Sequence, residues 1–291
     1  MKVKKQFPPI MKDKRLEKQL LDDGYLVLKK FLSPERVAEL LEYNRNNQPE
    51  FHAEHIINSV WHTRDEDYKV RTIAKIIEVY TPPCSEVFAN YQIFGGSFVI
   101  KPPLGKGASQ PHIDYGIVNE DEFRSFNLWI PLVKLTKENG PLQVLKGSHN
   151  IRNIFRGPNI PDQTVDLREY FWKECTELLL NAGDALLYDH RAVHCSRENH
   201  STEPRIATSC ALTSAGAPMM VYFWNENRKK IQGFQIELDY LMKNNDGKLP
   251  VNMQPVQEWD YSFGQISMKD LQLEPEPEGF KQKLLRLFGQ A

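Results

Sequence analysis

The sequence has little cysteine, no excess of charge and no long apolar run. Only four Cys occur in 291 residues, at 84, 175, 195 and 210, and no two are spaced as CxxC. That rules out a disulfide scaffold, and the four read as reduced thiols of a cytoplasmic protein. Lys and Arg number 37 against 38 Asp and Glu, a formal net charge of −1. The chain therefore lacks the overall attraction of a nucleic-acid or anionic-membrane binder. No apolar run approaches the roughly 20 residues that cross a bilayer, and the basic start Met1–Lys14 is not followed by the apolar core of a secretory signal. No internal repeat is present. These absences leave a globular protein with room for a core, partnered by neither nucleic acid nor membrane, whose oligomeric state the sequence does not fix.

Residues 16–43 read as helix, strand, helix. LEKQLLDDG stops on Gly24, YLVLKKFL is apolar and β-prone, and SPERVAELLEY opens with a Ser33 cap and Pro34 at the first helical position. A polar, His-rich stretch (His52, His55, His62) follows with little periodicity, as loops that cover something would, and then a helix over Val70–Glu78. Short β-rich runs bounded by Gly, Pro, Asn and Asp occupy Tyr91–Ile100, Ser125–Leu135, Thr176–Leu180, Ala185–Asp189 and Ile206–Thr213. Short strands without long helices between them argue for an antiparallel sandwich or barrel. After Trp224 the sequence turns polar, with a helix around Gln235–Lys243, a Pro- and Glu-rich stretch Glu274–Gly279 and an amphipathic end, FKQKLLRLFGQ, read as a docked helix. The expectation is one mainly β domain over 1–291, its core at about 91–213, with helical support and lid loops in 14–90 and 214–291.

Chemistry concentrates in Gln110-Pro-His-Ile-Asp114. Residues two apart on a strand share a face, so the His112 imidazole and the Asp114 carboxylate converge. A second histidine would complete the two-His, one-carboxylate set that leaves open positions on non-haem iron(II). The segment GDALLYDHRAVHCS offers both His190 and His194, and spacing alone does not choose. Arg205, across the polar turn Arg197–Pro204 at the start of RIATSCALT, favours His194. A guanidinium there faces the metal from the neighbouring strand and suits bidentate binding of a carboxylate, as the far end of a keto-diacid needs. Ser196, two residues after His194 on the same face, offers a hydroxyl to that carboxylate.

On His112-x-Asp114, His194-x-Ser196 and Arg205, together with DDGYLVLKKFLSPERV, FVIKPPLGKGASQPHID and LWIPLVKLTKENGPLQVLKGSH, the sequence resembles the phytanoyl-CoA hydroxylase-like (PhyH) family of iron(II)/2-oxoglutarate-dependent dioxygenases over about residues 16–213. The resemblance implies a double-stranded β-helix, the cupin-like jelly roll, with helices on one sheet. It implies His112, Asp114 and His194 as metal ligands for Fe(II), Arg205 as the 2-oxoglutarate anchor with Ser196 its helper, and Trp129 as an aromatic wall beside the cosubstrate. The resemblance further implies dioxygen as the second cosubstrate, and succinate, carbon dioxide and a hydroxylated small-molecule, carrier-bound or CoA-bound substrate as products. Related halogenases lack the carboxylate at the position of Asp114, so hydroxylation is the default, with desaturation, epimerisation and ring closure open to the same ligands. A non-oxidative cupin-like metal isomerase or binding protein is the alternative from another class; a carboxylate anchor has no evident use there. A partner-binding scaffold without activity is the third.

The other candidates carry structural expectations. Gly140 and Gly147 supply turns needing positive φ, His149 hydrogen-bonds locally, His190 bonds at a strand end and His200 lies on a surface turn. Alternation points Cys195 away from His194 and Ser196. Lys101, in the IKPP segment, either extends to solvent, which is the expectation, or reaches the active-site mouth. His52, His55, Trp61, His62 and Arg64 lie where this type of fold binds the prime substrate, and Arg228-Lys229-Lys230 offers charge for a phosphate. The substrate reading leans to a small molecule of specialised metabolism.

Overall fold

A computed structural model describes residues 7–48, 58–151, 154–243, 248, 250, 252–267 and 270. In chain order the elements are α1 (Lys14–Asp23), β1 (Tyr25–Leu28), α2 (Pro34–Asn47), β2 (Asn58–Ser59), α3 (Glu66–Val87), β3 (Tyr91–Lys101), β4 (Ser109–His112), β5 (Ser125–Pro131), β6 (Leu142–Val144), α4 (Arg168–Glu174), β7 (Thr176–Glu177), β8 (Ala185–Asp189), β9 (His194–Ser196), β10 (Arg205–Ser214), β11 (Met220–Asn225), β12 (Lys230–Gln235), α5 (Leu238–Lys243) and β13 (Gln257–Asp260). The final segment FKQKLLRLFGQ and the Pro- and Glu-rich stretch before it lie outside the described residues.

Local chemistry sets the helices. Asp13 accepts from the Arg15 and Leu16 amides to start α1, which ends where Gly24 turns to φ 79°. Ser33 caps α2 with Pro34 in its first turn, as the sequence indicates. Helix α3 starts earlier and runs further than Val70–Glu78. Asp65 caps its start, and buried Val79, Tyr80 and Cys84 hold the last turns against the sheet although Pro82 and Pro83 remove two donors.

The strands form the jelly roll. A six-stranded sheet in the order β1-β8-β5-β10-β3-β2 faces a four-stranded sheet β4-β9-β6-β7, with antiparallel pairing throughout. Strict alternation divides the large sheet. Phe98, Ile100, Phe126, Leu128, Ile130, Leu187, Cys210 and Leu212 join the α1–α3 core containing Leu20, Leu40, Ile76 and Tyr80. The opposite faces contribute Trp129, Leu186, Tyr188 and Ala207, which pack with Leu142 and Val144 of the small sheet inside the barrel. Two residues of β3, Gly95 and Gly96, oppose the single Cys210 of β10 in a bulge. Gly95 takes φ 68°, and a Cβ on Gly96 would come within 3.3 Å of Ile73 on α3.

Two departures from the sequence expectation matter for the site. Tyr25–Leu28 is an integral edge strand of the large sheet, paired with β8, so the β-structure begins well before residue 91. Residues after 214 are not only helix and loop: β11, β12 and β13 form a third antiparallel sheet. The anticipated helix survives as the short α5, because Lys230–Gln235 is strand.

Candidate metal centre

His112 ends β4 and sits directly opposite His194, the first residue of β9. Their ring centroids are 4.2 Å apart. Asp114, just beyond the strand, places Oδ1 3.6 Å from His112 Nε2 and 3.5 Å from His194 Nε2. All three potential ligand atoms lie within 4.8 Å of one another. The tautomers follow from the acceptors. His112 Nδ1–H donates to the Gln110 carbonyl at 2.7 Å and His194 Nδ1–H to the Ala192 carbonyl at 3.0 Å. A carbonyl only accepts, so both rings leave Nε2 unprotonated and aimed at Asp114, with the Tyr188 hydroxyl also 3.5 Å from His194 Nε2; this is the outer-sphere arrangement that orients metal-binding imidazoles.

Electrostatics fit the same use. Burial keeps His194 neutral by lowering its pKa to about 4. Burial also resists ionisation of Asp114, but the His194 and His112 imidazoles outweigh it and hold the carboxyl well below its usual range. For His112, burial resists charging while Asp114 overcomes it and raises the pKa; a cation between these groups would do what that proton does. Asp114 Oδ2 is buried without a hydrogen-bond partner. Two neutral imidazoles and one carboxylate with spare acceptor capacity suit a hard-to-borderline divalent ion such as iron(II).

His190 is not part of this cluster. Its backbone amide donates to Ser125 at the end of β8, while its ring is buried with Nδ1 unpartnered. His149 bonds not to a sequence neighbour but through Nε2 to the Leu21 carbonyl at 3.0 Å, tying a turn to α1. His200 is exposed, and Cys195 turns toward Gln143, 3.5 Å away. His52 and His55 lie outside the described residues. His62 and Arg64 are exposed, and neither lines the cavities beside the metal cluster.

A second polar cluster lies along the same strand. Ser196 follows His194 by two residues, an advance of about 6.6 Å, and accepts a 2.7 Å hydrogen bond from Lys101 Nζ, which also donates to the Arg197 carbonyl. Lys101 is the register partner of Arg205 across β3 and β10, and the two are 0% and 1% exposed. Arg205 Nη1 donates to the Gly140 carbonyl at 3.1 Å and its Cζ stands 5.2 Å from the Trp129 ring centroid. Arg205 Nε and Trp129 Nε1 are buried without partners.

Lys101 corrects the sequence reading, which sent it to solvent. Pleating turns Ile100 to the helices, so Lys101 must point into the barrel; the signal was the parity of the strand. Burial, reinforced by Arg205, pushes its pKa down to about 6, and burial lowers Arg205 to about 10. Like charges directly opposite on a ladder repel, and among the described residues neither cation is in an ion pair. Buried cations in this state cost several kcal/mol each unless an anion completes the site. Gly140 closes the pocket from the opposite side. Its φ is 65°, and a Cβ there would come within 2.4 Å of the Arg197 carbonyl and 3.0 Å of Lys101 Nζ. Gly147 likewise adopts φ 77°.

Comparison with known proteins bears on the fold and the family. No curated protein gives a significant match. Among solved structures, the chain is similar to the epimerase SnoN in complex with Fe3+, alpha ketoglutarate and nogalamycin RO, with 18% identity, 88% of this chain and 96% of that one covered, and a TM-score of 0.51. It is similar to HygX from Streptomyces hygroscopicus with nickel, 2-oxoglutarate and hygromycin B bound, with 11% identity, 70% and 88% covered, and a TM-score of 0.51. The non-heme alpha ketoglutarate dependent carbocyclase SnoK from nogalamycin biosynthesis gives 18% identity, 71% and 86% covered, and a TM-score of 0.50. At these identities the likeness is one of fold. Residues 20–207, well over half the chain, match the phytanoyl-CoA dioxygenase (PhyH) family, and the chain belongs to that family.

Proposed function

We propose that this protein is an iron(II)/2-oxoglutarate-dependent dioxygenase that hydroxylates a C–H bond of a small-molecule substrate. The observation that carries the reading is the juxtaposition of two sites linked through β9, which carries His194 of the first and Ser196 of the second. A triad with both Nε2 atoms bared by backbone acceptors adjoins a buried pair of cations without a counter-ion. His112, Asp114 and His194 would hold iron(II). Arg205, with Ser196 and Lys101, would hold the distal carboxylate of 2-oxoglutarate, and Trp129 would wall the cosubstrate. When bound, iron and 2-oxoglutarate supply the oxidising chemistry, with dioxygen consumed and succinate and carbon dioxide released.

The chain's own residues do the positioning. The Gln110 and Ala192 carbonyls keep the ligand tautomers fixed. The Gly140 carbonyl orients the Arg205 guanidinium, and Ser196 couples the anion pocket to the His194 strand. Leu142, Val144, Leu186 and Ala207 exclude water from the barrel interior. Asp114 fills the third protein ligand position, so hydroxylation is favoured over halide transfer. No helix among the described residues is long and apolar enough to cross a membrane, and four free thiols fit a reducing cytoplasm.

The test is anaerobic addition of iron(II) and 2-oxoglutarate. The weak visible charge-transfer band of the chelate should appear in the wild type and be lost in His112→Ala and Asp114→Ala. A wild-type chain that binds iron but never develops the band would favour the non-oxidative metal-isomerase reading. Succinate release with a turned-over substrate separates an enzyme from an inactive scaffold.

A further inference from the structure

Next to His112 lies a cavity of about 250 Å³ whose walls include Ile113, Tyr115, Ile154, Phe155, Ile160 and Pro161. Apart from His112 and Tyr115, its polar side chains are engaged within the protein. Arg156 gives Nε–H to the Asp114 backbone carbonyl at 2.6 Å, and its Nη groups hold the Glu120 carboxylate and the Ile154 carbonyl. Asp162 accepts from the Thr164 amide and hydroxyl and pairs with Arg168 at 2.8 Å. Gln163 accepts from the Tyr261 hydroxyl at 2.7 Å and reaches the Phe155 carbonyl. Among the described residues lining this space, Arg156 and Asp162 thus each have their counter-charge within the protein.

Behind the Ile154-Phe155-Arg156 wall a second cavity of about 300 Å³ is bounded by Tyr222, Trp259, Asn119 and Glu120. Here too the cations are neutralised: Arg156 by Glu120, and Arg191 by Asp189 at 3.0 Å. The third sheet supplies the aromatic face, with Trp259 4.8 Å and Tyr222 5.4 Å from Phe155, centroid to centroid. The basic run after β11, which offered charge for a phosphate, is also paired, Arg228 with Glu258, Lys229 with Glu226 and Lys230 with Asp260.

We propose that the prime substrate is an uncharged small molecule that places an apolar, hydrocarbon or alicyclic segment in the cavity against His112, with Phe155 as the shared wall to the aromatic compartment behind. This rests on the oxygenase reading and names its substrate class. At about 30 Å³ per water-sized group, the first cavity takes about eight heavy atoms. A carboxylate or thioester phosphates brought here would meet no free cation among the described lining residues and would lose hydration without repayment, which disfavours CoA-bound and carrier-bound substrates.

The experiment is calorimetric titration of the full chain, loaded anaerobically with iron(II) and 2-oxoglutarate, with four probes on one skeleton: cyclohexylmethanol, cyclohexylmethylamine, cyclohexanecarboxylate and cyclohexanecarboxyl-CoA. The alcohol should bind at least tenfold more tightly than each charged probe. Ile160→Trp, or Pro161→Trp at the exposed rim if the first fails to fold, should weaken alcohol binding at least tenfold while 2-oxoglutarate binding and the far-UV spectrum stay unchanged. A charged probe that binds as tightly as the alcohol, no saturation by the alcohol on a chain that binds 2-oxoglutarate, or unchanged alcohol affinity in the folded variants would each overturn the proposal. Alcohol binding that persists in a chain showing no iron–2-oxoglutarate band would sink the oxygenase reading and leave the cavity's preference standing.

Discussion

If Lys101 helps hold the distal carboxylate, cosubstrate binding must carry a proton with it. Burial, and then Arg205, push its pKa from the ordinary 10.5 to about 6, which corresponds to about 6 kcal/mol of preference for the neutral amine. At pH 7.5 the cosubstrate-free protein therefore holds Lys101 mostly uncharged. An anion placed between Lys101 and Arg205 reverses that preference, and the amine takes up close to one proton on binding. The bound state then carries more protons than the free state, so affinity falls as pH rises, by up to tenfold per pH unit above about 6. Anaerobic calorimetry at pH 7.5 in buffers of different ionisation enthalpy reads the uptake directly. Lys101→Met should abolish both the buffer dependence and the slope, while the iron site is retained. The free protein gives an independent sign. Between pH 6 and 10.5 the unfolded chain holds the Lys101 proton and the folded chain does not, so this residue's contribution to stability rises with pH across that window. Tight 2-oxoglutarate binding with no proton uptake would refute the reasoning.

Arg205→Met leaves the anion pocket with Lys101 alone and should raise the 2-oxoglutarate dissociation constant about a hundredfold, as loss of a buried charge partner does, with iron(II) retention by dialysis unchanged. Gly140→Ala forces a positive-φ residue into strain of about 1–2 kcal/mol and drives a Cβ into the Arg197 carbonyl. It should lower the thermal midpoint and, by shifting the carbonyl that holds Arg205, weaken 2-oxoglutarate binding; an unchanged midpoint would contradict the contact. Far from the site, Glu17 pairs with buried Arg124 and accepts from the Ile10 and Met11 amides. Glu17→Ala strands that arginine and should cost about 3–5 kcal/mol, read as a denaturation midpoint about ten degrees lower, with metal binding in the folded fraction intact.

The sequence made the convergence of His112, Asp114 and His194 legible because its geometry is local to strands. A His-x-Asp pair at a strand end and a His two residues before a Ser need only the period-2 rule to share a face. Lys101 obeyed the same rule and was still misread, since a lysine in isolation suggests solvent and the fate of its strand face depends on which neighbours cover it. The third sheet was illegible for a different reason. In Lys230–Gln235 only Ile231 and Phe234 are strongly apolar, and Gly233 breaks the pattern. Gly233 is there because a Cβ would come within 2.9 Å of the Trp259 ring, a partner more than twenty residues away. Strand preference of this kind comes from tertiary packing, which local pattern does not contain.

The division of labour between the sheets explains why the site tolerates so many buried polar groups. The large sheet buries its even-numbered β3, β5 and β10 residues under α1–α3 in one apolar core, and this face carries the folding stability. The opposite face and the small sheet can then hold Lys101, Arg205, His194 and Ser196, all almost fully buried, in positions where apolar residues would pack at lower cost. Such groups persist where their unmet valences serve ligands. Of the nine buried unpartnered side-chain atoms among the described residues, three, Asp114 Oδ2, Trp129 Nε1 and Arg205 Nε, fall on the His112–Asp114–His194 cluster and the Lys101–Arg205 pocket. By the same reasoning, replacing Lys101 and Arg205 together with apolar residues should leave the fold at least as stable, because one uncompensated guanidinium and one buried amine forced neutral are removed at once, while abolishing cosubstrate binding. A double variant less stable than either single one would show that the pair serves the fold and not the ligand.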